Sequence, residues 1–295
     1  MRSKKSSVSL LLVISFLLYV ILEYKNGIPY FVMVNMIPSK IEQQVAFMNH
    51  SVAAFYTCYK QVASANKVLS YFRKQYPTAP IHLFNDAGDP LIKYVSYKHG
   101  AKYTYQPNHT ASIWIGNNFD SAENAWVYVK NLLVTARLSN SDWIVLLEDD
   151  VVFLRQITVQ DLEFDMNGVK PDWDVINGVN EFWYTVVQKY MKDHYPNVTL
   201  HTFWSGSGGT VFRGSFLRSI DFSKARMQLD NLFELAKNQK IPLASDQILS
   251  FVVQINGGSI GTNRHFTDAK WPISIPKYLL GYVDILHGDK SLYSK

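Results

Sequence analysis

The first half of the chain alternates apolar segments of strand length with amphipathic segments of helix length. Apolar or β-branched runs that end at turn signals predict strands over Val52–Cys58, Ile81–Phe84 and Ala101–Tyr105. Apolar residues at three- and four-residue spacing predict helices over 64–76 and 91–99, between those strands. This alternation predicts an α/β domain with a mostly parallel central sheet and helices on both faces.

A longer helix, capped by Ser121, leads into a fourth predicted strand. The strand lies within Asp142–Phe153, an apolar run that three consecutive carboxylates interrupt. Three acids in a buried strand would be costly unless they lie at its end, near solvent or a cation. Alternation along an extended chain places Glu148 and Asp150 on one side and Asp149 on the other.

The second half of the chain is less regular. Short patterns predict a strand over Trp173–Ile176 and helices over 182–195 and 230–239. The Gly/Ser-rich stretch His201–Arg213 predicts a loop whose backbone approaches a bound sugar, or else an ordinary flexible loop. The tail, Tyr282–Lys290, includes a strand-like run.

The first 50 residues predict a membrane anchor and a stem. Ser7–Leu22 has no charged residue and is slightly shorter than a typical membrane span of about 20 residues. Basic residues precede this run, so the positive-inside rule predicts type II topology. We expect a cytosolic tail (1–6), a transmembrane signal anchor (7–24), a stem (25–50) and a lumenal domain (51–295). A cleaved signal peptide is the alternative, although no Ala-x-Ala-like pair follows the run.

Charge and cysteine content narrow the class of protein. The formal net charge is +5, and four basic residues against one acidic residue place +3 of it within residues 1–25. The remaining +2 argues against nucleic-acid binding. N-glycosylation triplets at Asn49, Asn108 and Asn197 are compatible with a lumenal domain. Cys58 is the only cysteine, so no intramolecular disulfide can form, and its apolar surroundings predict a buried, inert thiol.

Polar side chains recur at the ends of the predicted strands. In open α/β sheets, ligands bind beyond the carboxyl ends of the strands, in one crevice. Two carboxylates that converge there suit a hard divalent cation such as Mg²⁺ or Mn²⁺, whereas the simpler alternative is an acidic turn after a core strand. The residues at these ends are Thr57, Tyr59, Asp86, Glu148, Asp150 and His287.

Three of these segments resemble the nucleotide-sugar-dependent glycosyltransferases of the GT-A fold, over roughly residues 51–295. They are Ala54–Tyr59, Phe84–Asp86 and Leu147–Val151, the last being similar to the family's Asp-x-Asp signature in a Glu-Asp-Asp form. The resemblance implies a single Rossmann-type catalytic domain behind one transmembrane helix. It also implies Mn²⁺ or Mg²⁺, a nucleotide-sugar donor (UDP-sugar favoured), a glycan or glycoprotein acceptor, and a Golgi or other secretory-pathway membrane.

The resemblance further implies roles for individual residues. Asp150 would contact the metal, and Glu148 would reach the ribose or a metal-bound water. Asp86 would hydrogen-bond the uracil or ribose, although an Asx-type turn before Gly88 would also explain it. Thr57 and Tyr59 would line the nucleoside pocket. The intervening acid, Asp149, would face a helix or support the loop.

Three downstream residues complete the predicted site. Asp246 is the candidate general base, since transfer with inversion needs a carboxylate to take the acceptor hydroxyl's proton; capping of a helix over Gln247–Gln254 by Ser245 or Asp246 is the alternative. His287 is a possible third metal ligand, and Lys290 a possible diphosphate contact; an exposed histidine and a solvated lysine are the alternatives. We favour inversion over a retaining, glycogenin-like transfer.

Two other classes of protein remain open at the sequence level. A catalytically silent GT-A-like protein that binds glycans or nucleotide sugars is the first, but the intact acidic triplet argues against it. A nucleotidyltransferase is the second. It usually has a Gly-rich loop with Lys or Arg after the first strand, and Tyr59–Ala63 is not such a loop.

Overall fold

The computed structural model describes residues 51–59, 61–107, 118–119, 121–169, 182–198, 206–240, 243–263, 265–268 and 283–287. The predicted tail, anchor and stem lie outside these ranges, as do Trp173–Ile176 and Lys290. Among the described residues, no helix is long and apolar enough to span a membrane. The anchor at 7–24 therefore stays a prediction.

Strands and helices alternate through the first half of the described chain, as predicted. The first strand has the predicted bounds, and the elements up to residue 106 agree with the prediction to within two residues at each end. The elements are β1 (Val52–Cys58), α1 (Val62–Gln75), β2 (Ile81–Asp86), α2 (Ile92–Lys98), β3 (Lys102–Gln106), β4 (Asn118–Phe119), α3 (Ala122–Ser139), β5 (Trp143–Leu147) and β6 (Val152–Phe153).

The second half has shorter elements. A 3₁₀ turn at Val159–Asp161 precedes β7, and a π-helical segment at Phe182–Val187 leads directly into α4. The remaining elements are β7 (Met166–Val169), α4 (Gln188–His194), β8 (Gly206–Arg213), α5 (Gly214–Ser219), α6 (Phe222–Gln239), β9 (Leu243–Ala244), α7 (Ser245–Ile255), β10 (Ile260–Thr262), β11 (Phe266–Asp268) and β12 (Ile285–His287).

The described strands form a seven-stranded central sheet in the order β10-β7-β8-β5-β1-β2-β3. All neighbouring pairs are parallel except those of β8, which runs antiparallel to both β5 and β7. The predicted α/β domain with a mostly parallel sheet is confirmed. Because β1, β2 and β5 are parallel and adjacent, their carboxyl ends meet at one edge of the sheet.

Helices cover both faces of the sheet because both faces of its central strands are apolar. All five residues of β5 are buried, as expected of a strand covered on both sides. On one face, α3, α6 and α7 pack onto the larger core. The helix α3 starts where predicted, since the Ser121 side chain accepts a hydrogen bond from the Asn124 amide. On the other face, Phe72 of α1 packs edge-on against Phe153 of β6.

Two predictions about the second half need correction. The loop predicted at His201–Arg213 is wrong over Gly206–Arg213, which is β8, inserted between β5 and β7. Residues 201–205 lie outside the described residues. The helix predicted from residue 230 begins at Phe222, where the Asp221 carboxylate accepts a hydrogen bond from the Lys224 amide at 2.7 Å. The strand predicted within Asp142–Phe153 does end at the acids, as expected: β5 ends at Leu147, and β6, after them, belongs to a separate three-stranded sheet with β11 and β12.

Candidate active site

The acidic triplet forms a tight turn directly after β5, and its carboxylates diverge as predicted. The Val151 amide donates to the Glu148 carbonyl at 3.3 Å, which closes the turn. Asp149 points away from its two neighbours and accepts a hydrogen bond from the Tyr56 hydroxyl at 2.6 Å. The Ser64 hydroxyl of α1 donates to the Asp149 carbonyl at 3.0 Å. The expectation that Asp149 supports the loop is confirmed.

Burial, one hydrogen bond and two neighbouring charges shift the pKa of Asp149. Burial raises the pKa of Asp149 to about 7, the Tyr56 hydrogen bond lowers it, and the charges of Asp150 and Glu148 raise it. Cys58 lies nearby and is buried, as predicted; burial raises the pKa of its thiol, followed by the charges of Asp149 and Asp86. The Asp149 side of the acidic turn therefore holds the turn in place.

Strand β12 brings His287 to the other two carboxylates. It pairs antiparallel with β6, the strand that follows the acidic turn. His287 Nε2 lies 3.3 Å from Asp150 Oδ1 and 3.5 Å from Glu148 Oε2. The ligand atoms of Glu148, Asp150 and His287, called the triad from here on, all lie within 4.8 Å of one another. Their side chains are 20%, 10% and 12% exposed, so the triad is partly open to solvent.

The donor atoms of the triad fit a divalent cation. Two carboxylates and one imidazole make a ligand set suited to Mn²⁺, and to Mg²⁺ with water in the other positions. Neighbouring ligands of an ion with bonds of about 2.1 Å lie about 3 Å apart. The two histidine–carboxylate distances exceed this by only a few tenths of an ångström. A small contraction would therefore close the set around an ion.

Asp246 lies beside the triad, in the first turn of α7. Burial raises the pKa of Asp246, and the charge of Glu148 raises it further, while its own backbone amide, the Ser245 hydroxyl and His287 lower it. The helix starts two residues earlier than predicted, so the N-cap assigned to Ser245 or Asp246 is wrong. The N-cap is Ala244, whose amide donates to the Gln247 side chain at 2.9 Å. Asp246 is therefore not needed to cap this helix.

The predicted nucleoside side of the site lies at the ends of β1 and β2. Thr57 Oγ1 is buried and has no hydrogen-bond partner among the described residues. Asp86, the last residue of β2, is 2% exposed. It does not accept from the Gly88 amide to form the alternative turn; Asn85 does, at 2.8 Å. Since adjacent strands are about 4.8 Å apart, β2 lies about 10 Å from β5 across β1.

Tyr59 lies just beyond β1 and is partly exposed. Its carbonyl accepts a hydrogen bond from the Asp89 amide at 2.9 Å, which ties the end of β1 to the loop after β2. The structure thus brings together Glu148, Asp150, His287 and Asp246. It places Thr57, Tyr59 and Asp86 along the same edge of the sheet, and Lys290 lies outside the described residues.

Sequence reasoning missed two tyrosines next to the site. Tyr128 of α3 is buried; burial raises the pKa of its phenol, followed by the charges of Glu148 and Asp246. Tyr56 holds Asp149, as described above. A buried strand carrying a hydroxyl was the available signal for Tyr56. Tyr128 lies beside the apolar stripe of α3 and has no distinguishing pattern.

No protein-family model matches the chain, and no curated protein sequence matches it. Solved structures with similar folds include the galactosyltransferase LgtC in complex with donor and acceptor sugar analogues, at 12% identity and a TM-score of 0.48, covering 80% of this chain and 86% of that one. Mouse xyloside xylosyltransferase 1 is similar at 9% identity and a TM-score of 0.42, covering 82% and 99% of the two chains. The glycosyltransferase GlyE of Streptococcus pneumoniae is similar at 10% identity and a TM-score of 0.44, covering 80% of this chain and 55% of that one. These values are too low to assign an activity or a substrate to this chain.

Proposed function

We propose that this chain is a metal-dependent glycosyltransferase that moves a sugar from a nucleoside-diphosphate sugar to a hydroxyl of a glycan or glycoprotein. The observation that carries the proposal is the triad at the carboxyl end of a parallel sheet, with a fourth carboxylate, Asp246, beside it. Ligands of open α/β sheets bind in this position. A UDP-sugar is the favoured donor.

Glu148, Asp150 and His287 would hold the cation, Mn²⁺ or Mg²⁺. When bound, the ion neutralises the negative charge that develops on a departing diphosphate. The diphosphate would then lie beyond β5, between the acidic turn and β12. Lys290 would add a positive charge for the diphosphate.

The nucleoside would extend from there across the ends of β1 and β2. Thr57 Oγ1 supports this orientation, since a buried hydroxyl without a partner costs stability until a ligand supplies one. Asp86 would accept a hydrogen bond from the ribose or base, and Tyr59 would line the pocket wall. The span of about 10 Å between β5 and β2 suits a diphosphate at one end and a nucleoside at the other.

Asp246 would act as the general base. The acceptor oxygen forms a bond to the anomeric carbon of the donor, and the bond from that carbon to the diphosphate breaks. The electron pair leaves with the nucleoside diphosphate, and the acceptor's hydroxyl proton passes to the Asp246 carboxylate. Such a single displacement inverts the anomeric configuration. A retaining transfer is the alternative.

Turnover of a sugar-nucleotide panel tests the proposal. The full-length protein is incubated with UDP-, GDP- and CMP-sugars, with and without a chelator, and release of the nucleotide is measured. We expect release from a UDP-sugar that the chelator and Asp150→Ala both abolish. Binding of the sugar nucleotide without release or transfer would instead indicate a silent binding protein. Release of the nucleotide that continues in the presence of the chelator and in Asp150→Ala would overturn the metal assignment.

Stereochemistry is tested separately. The anomeric configuration of the product, measured by NMR, is expected to be opposite to that of the donor. Asp246→Asn should then abolish transfer while leaving cation binding in place. Retention of configuration would assign Asp246 to another role and favour the glycogenin-like alternative.

Membrane anchoring is part of the same proposal. Residues 7–24 would span the membrane of the Golgi or another secretory-pathway compartment, with residues 51–295 in the lumen. The uncharged run and the preceding basic residues support it. Protease protection in intact microsomes and the N-terminal sequence of the mature protein are the tests. A mature N-terminus near residue 25 would show cleavage instead of anchoring.

A further inference from the structure

Two adjacent glycines of β8 lie between the halves of the triad, which are the acidic turn on one side and β12 on the other. Gly208 faces the acidic turn. A Cβ atom at this position would lie 2.7 Å from the Glu148 Cβ and 2.6 Å from the Val151 Cγ2. Carbon atoms in contact normally lie about 3.5–4.0 Å apart. Any residue larger than glycine would therefore clash with Glu148, a member of the triad, and with Val151.

Gly209 faces the other half. A Cβ atom there would lie 2.7 Å from the Ile285 Cγ2 and 3.1 Å from the ring of Phe266. Ile285 starts the strand that carries His287, and the Phe266 ring lies edge-on to the His287 ring at 6.3 Å. A side chain at Gly209 would push this strand away from β8 and move the imidazole with it.

The backbone of β8 is distorted where the glycines occur. Asn167 of β7 pairs with Val211, but Val169 pairs with Gly206, so β8 bulges between these two points. Gly209 has φ +97°, a conformation that residues with a side chain rarely adopt. Bulges next to active sites re-aim the strand that carries them. Here the bulge brings the backbone of β8 against both halves of the triad.

We propose that Gly208 and Gly209 are positioning residues that set the separation between the acidic turn and His287, and so the size of the cation that the triad accepts. The inference rests on the metal site of the proposed function. Bonds to Mg²⁺ are about 2.0–2.1 Å long and those to Ca²⁺ about 2.3–2.6 Å. A triad opened by a displaced Glu148 or His287 therefore loses affinity for the smaller ions more than for Ca²⁺.

The affinity ratio for two ions separates this role from a purely structural one. If the glycines only allow β8 to pack, alanine lowers the folded fraction, and the apparent affinities for Mn²⁺ and Ca²⁺ fall together. Their ratio is then unchanged. If the glycines set the triad, the ratio itself falls, whatever fraction of the protein is folded.

The experiment uses the full-length protein and its Gly208→Ala, Gly209→Ala and Gly257→Ala variants. Gly257 is the matched control, because it also has a positive φ (+84°) but its Cβ would meet no atom within 4 Å. Mn²⁺ binding is measured by electron paramagnetic resonance, and Ca²⁺ binding by competition. We expect Mn²⁺ affinity to fall at least about tenfold, the usual scale for a disturbed ligand support, and the Mn²⁺/Ca²⁺ ratio to fall at least about fivefold. Gly257→Ala should keep the wild-type ratio, and unchanged ratios in both test variants would overturn the inference.

Double variants test the inference if Gly208→Ala or Gly209→Ala alone does not fold. Gly208→Ala with Val151→Ala removes one clash but leaves the Glu148 Cβ in the way, so the ratio should still fall. Gly209→Ala with Ile285→Ala removes the clash with β12 and leaves only the milder contact with the Phe266 ring, so the ratio should return part of the way towards that of the wild type. The opposite pattern would contradict the proposed positions of the two glycines.

Failure of the inference and failure of the proposed function give different results. Mn²⁺ binding by the wild type without any sugar transfer would overturn the glycosyltransferase proposal and leave the inference to be decided by the ratios. A wild-type protein that binds neither ion would overturn both the metal site and the inference. Sugar transfer with unchanged ratios in the glycine variants would overturn the inference alone.

Discussion

The triad and the pocket of His82 both place a histidine among oxygen-bearing side chains. The two sites differ in whether the partners of the histidine are charged. His82 Nδ1 lies 2.8 Å from the Thr135 hydroxyl, and Nε2 lies 2.8 Å from the Thr104 hydroxyl. Both ring nitrogens thus have neutral partners inside the fold. Burial, followed by the charge of Lys102, lowers the pKa of His82 to about 4, so the ring is uncharged at neutral pH.

In the triad the partners of the histidine are two carboxylates instead of two hydroxyls. The negative charge there exceeds what one imidazole can balance, and the cluster is partly open to solvent. A polar group that is fully paired inside the protein stabilises the fold, whereas an excess of like charge at a strand end is destabilising, and the proposed cation would neutralise it. The difference between the two sites lies in the charge left uncompensated.

Asp150→Asn is expected to have the largest effect. It removes the charge but keeps the shape, and should lower sugar-nucleotide turnover about 1,000-fold, or about 4 kcal/mol in transition-state stabilisation. The free energy of unfolding should stay constant or rise slightly, since one of two like charges is lost. Turnover assays and urea unfolding measure the two effects. Glu234→Gln, on an exposed part of α6, is the control. Equal turnover in both variants would show that the charge of Asp150 has no role in the reaction, and so that the triad does not differ from the His82 pocket in this way.

Lowering the pH should lower the free energy of unfolding through the His82 pocket. The folded-state pKa of His82 is about 4, below its ordinary value of 6.5, so the unfolded chain binds the proton more tightly. The stabilising contribution is complete above pH 6.5 and is lost as the pH falls towards 4, with a loss of up to about 3 kcal/mol. Urea unfolding at several pH values measures this slope.

The matched variant for this prediction is His82→Gln, which keeps hydrogen-bonding groups but does not titrate in this range. It should be less stable than the wild type at pH 7 and show a shallower loss of stability between pH 6.5 and pH 4. Identical slopes for the two proteins would show that His82 is not the titrating group.

Tyr56→Phe should give a smaller effect that touches both stability and the triad. It removes the hydrogen bond that the buried Asp149 side chain accepts, at a cost of about 2 kcal/mol in the free energy of unfolding. Turnover should fall less than about tenfold, because Asp149 supports the turn without belonging to the triad. Tyr105→Phe, at a tyrosine that is 51% exposed on β3, is the control. A fall in turnover as large as that of Asp150→Asn would show that Asp149 matters to the reaction as much as a member of the triad does.

The smallest effect is expected from a charge pair outside both sites. Arg226 Nη1 lies 2.6 Å from Glu123 Oε2, and the two side chains are 29% and 67% exposed. Glu123→Gln should cost less than about 1 kcal/mol in the free energy of unfolding, since solvent screens an exposed pair. In about 1 M salt the difference should nearly vanish. A larger, salt-independent cost would mean that charge outside the two sites also matters to this fold.

The first half of the fold could be predicted because its signals are local. Apart from the two-residue β4, each helix and strand up to β5 carries its own apolar pattern, and Ser121 marks the start of α3 by itself. The split between Asp149 and its neighbours also followed from alternation alone. These features depend on the residues next to them in sequence.

The second half could not be predicted in the same way. β8 contains Gly206, Gly208 and Gly209, which weaken any strand signal, and the close approach of Glu148 and Ile285 requires two of them. β7 has only four residues, too few to show a period. The contact of His287 with the acidic turn depends on the pairing of β12 with β6, which no local pattern reveals.

The long separation along the chain between the acidic turn and His287 has a consequence for synthesis. A growing chain emerges from the ribosome with its N-terminal part first, so β5 and the acidic turn are present long before β12. Until β12 pairs with β6, the two carboxylates lack their third partner. A nascent chain therefore carries the two acids without the histidine of the proposed ligand set until β12 has been made and has paired with β6.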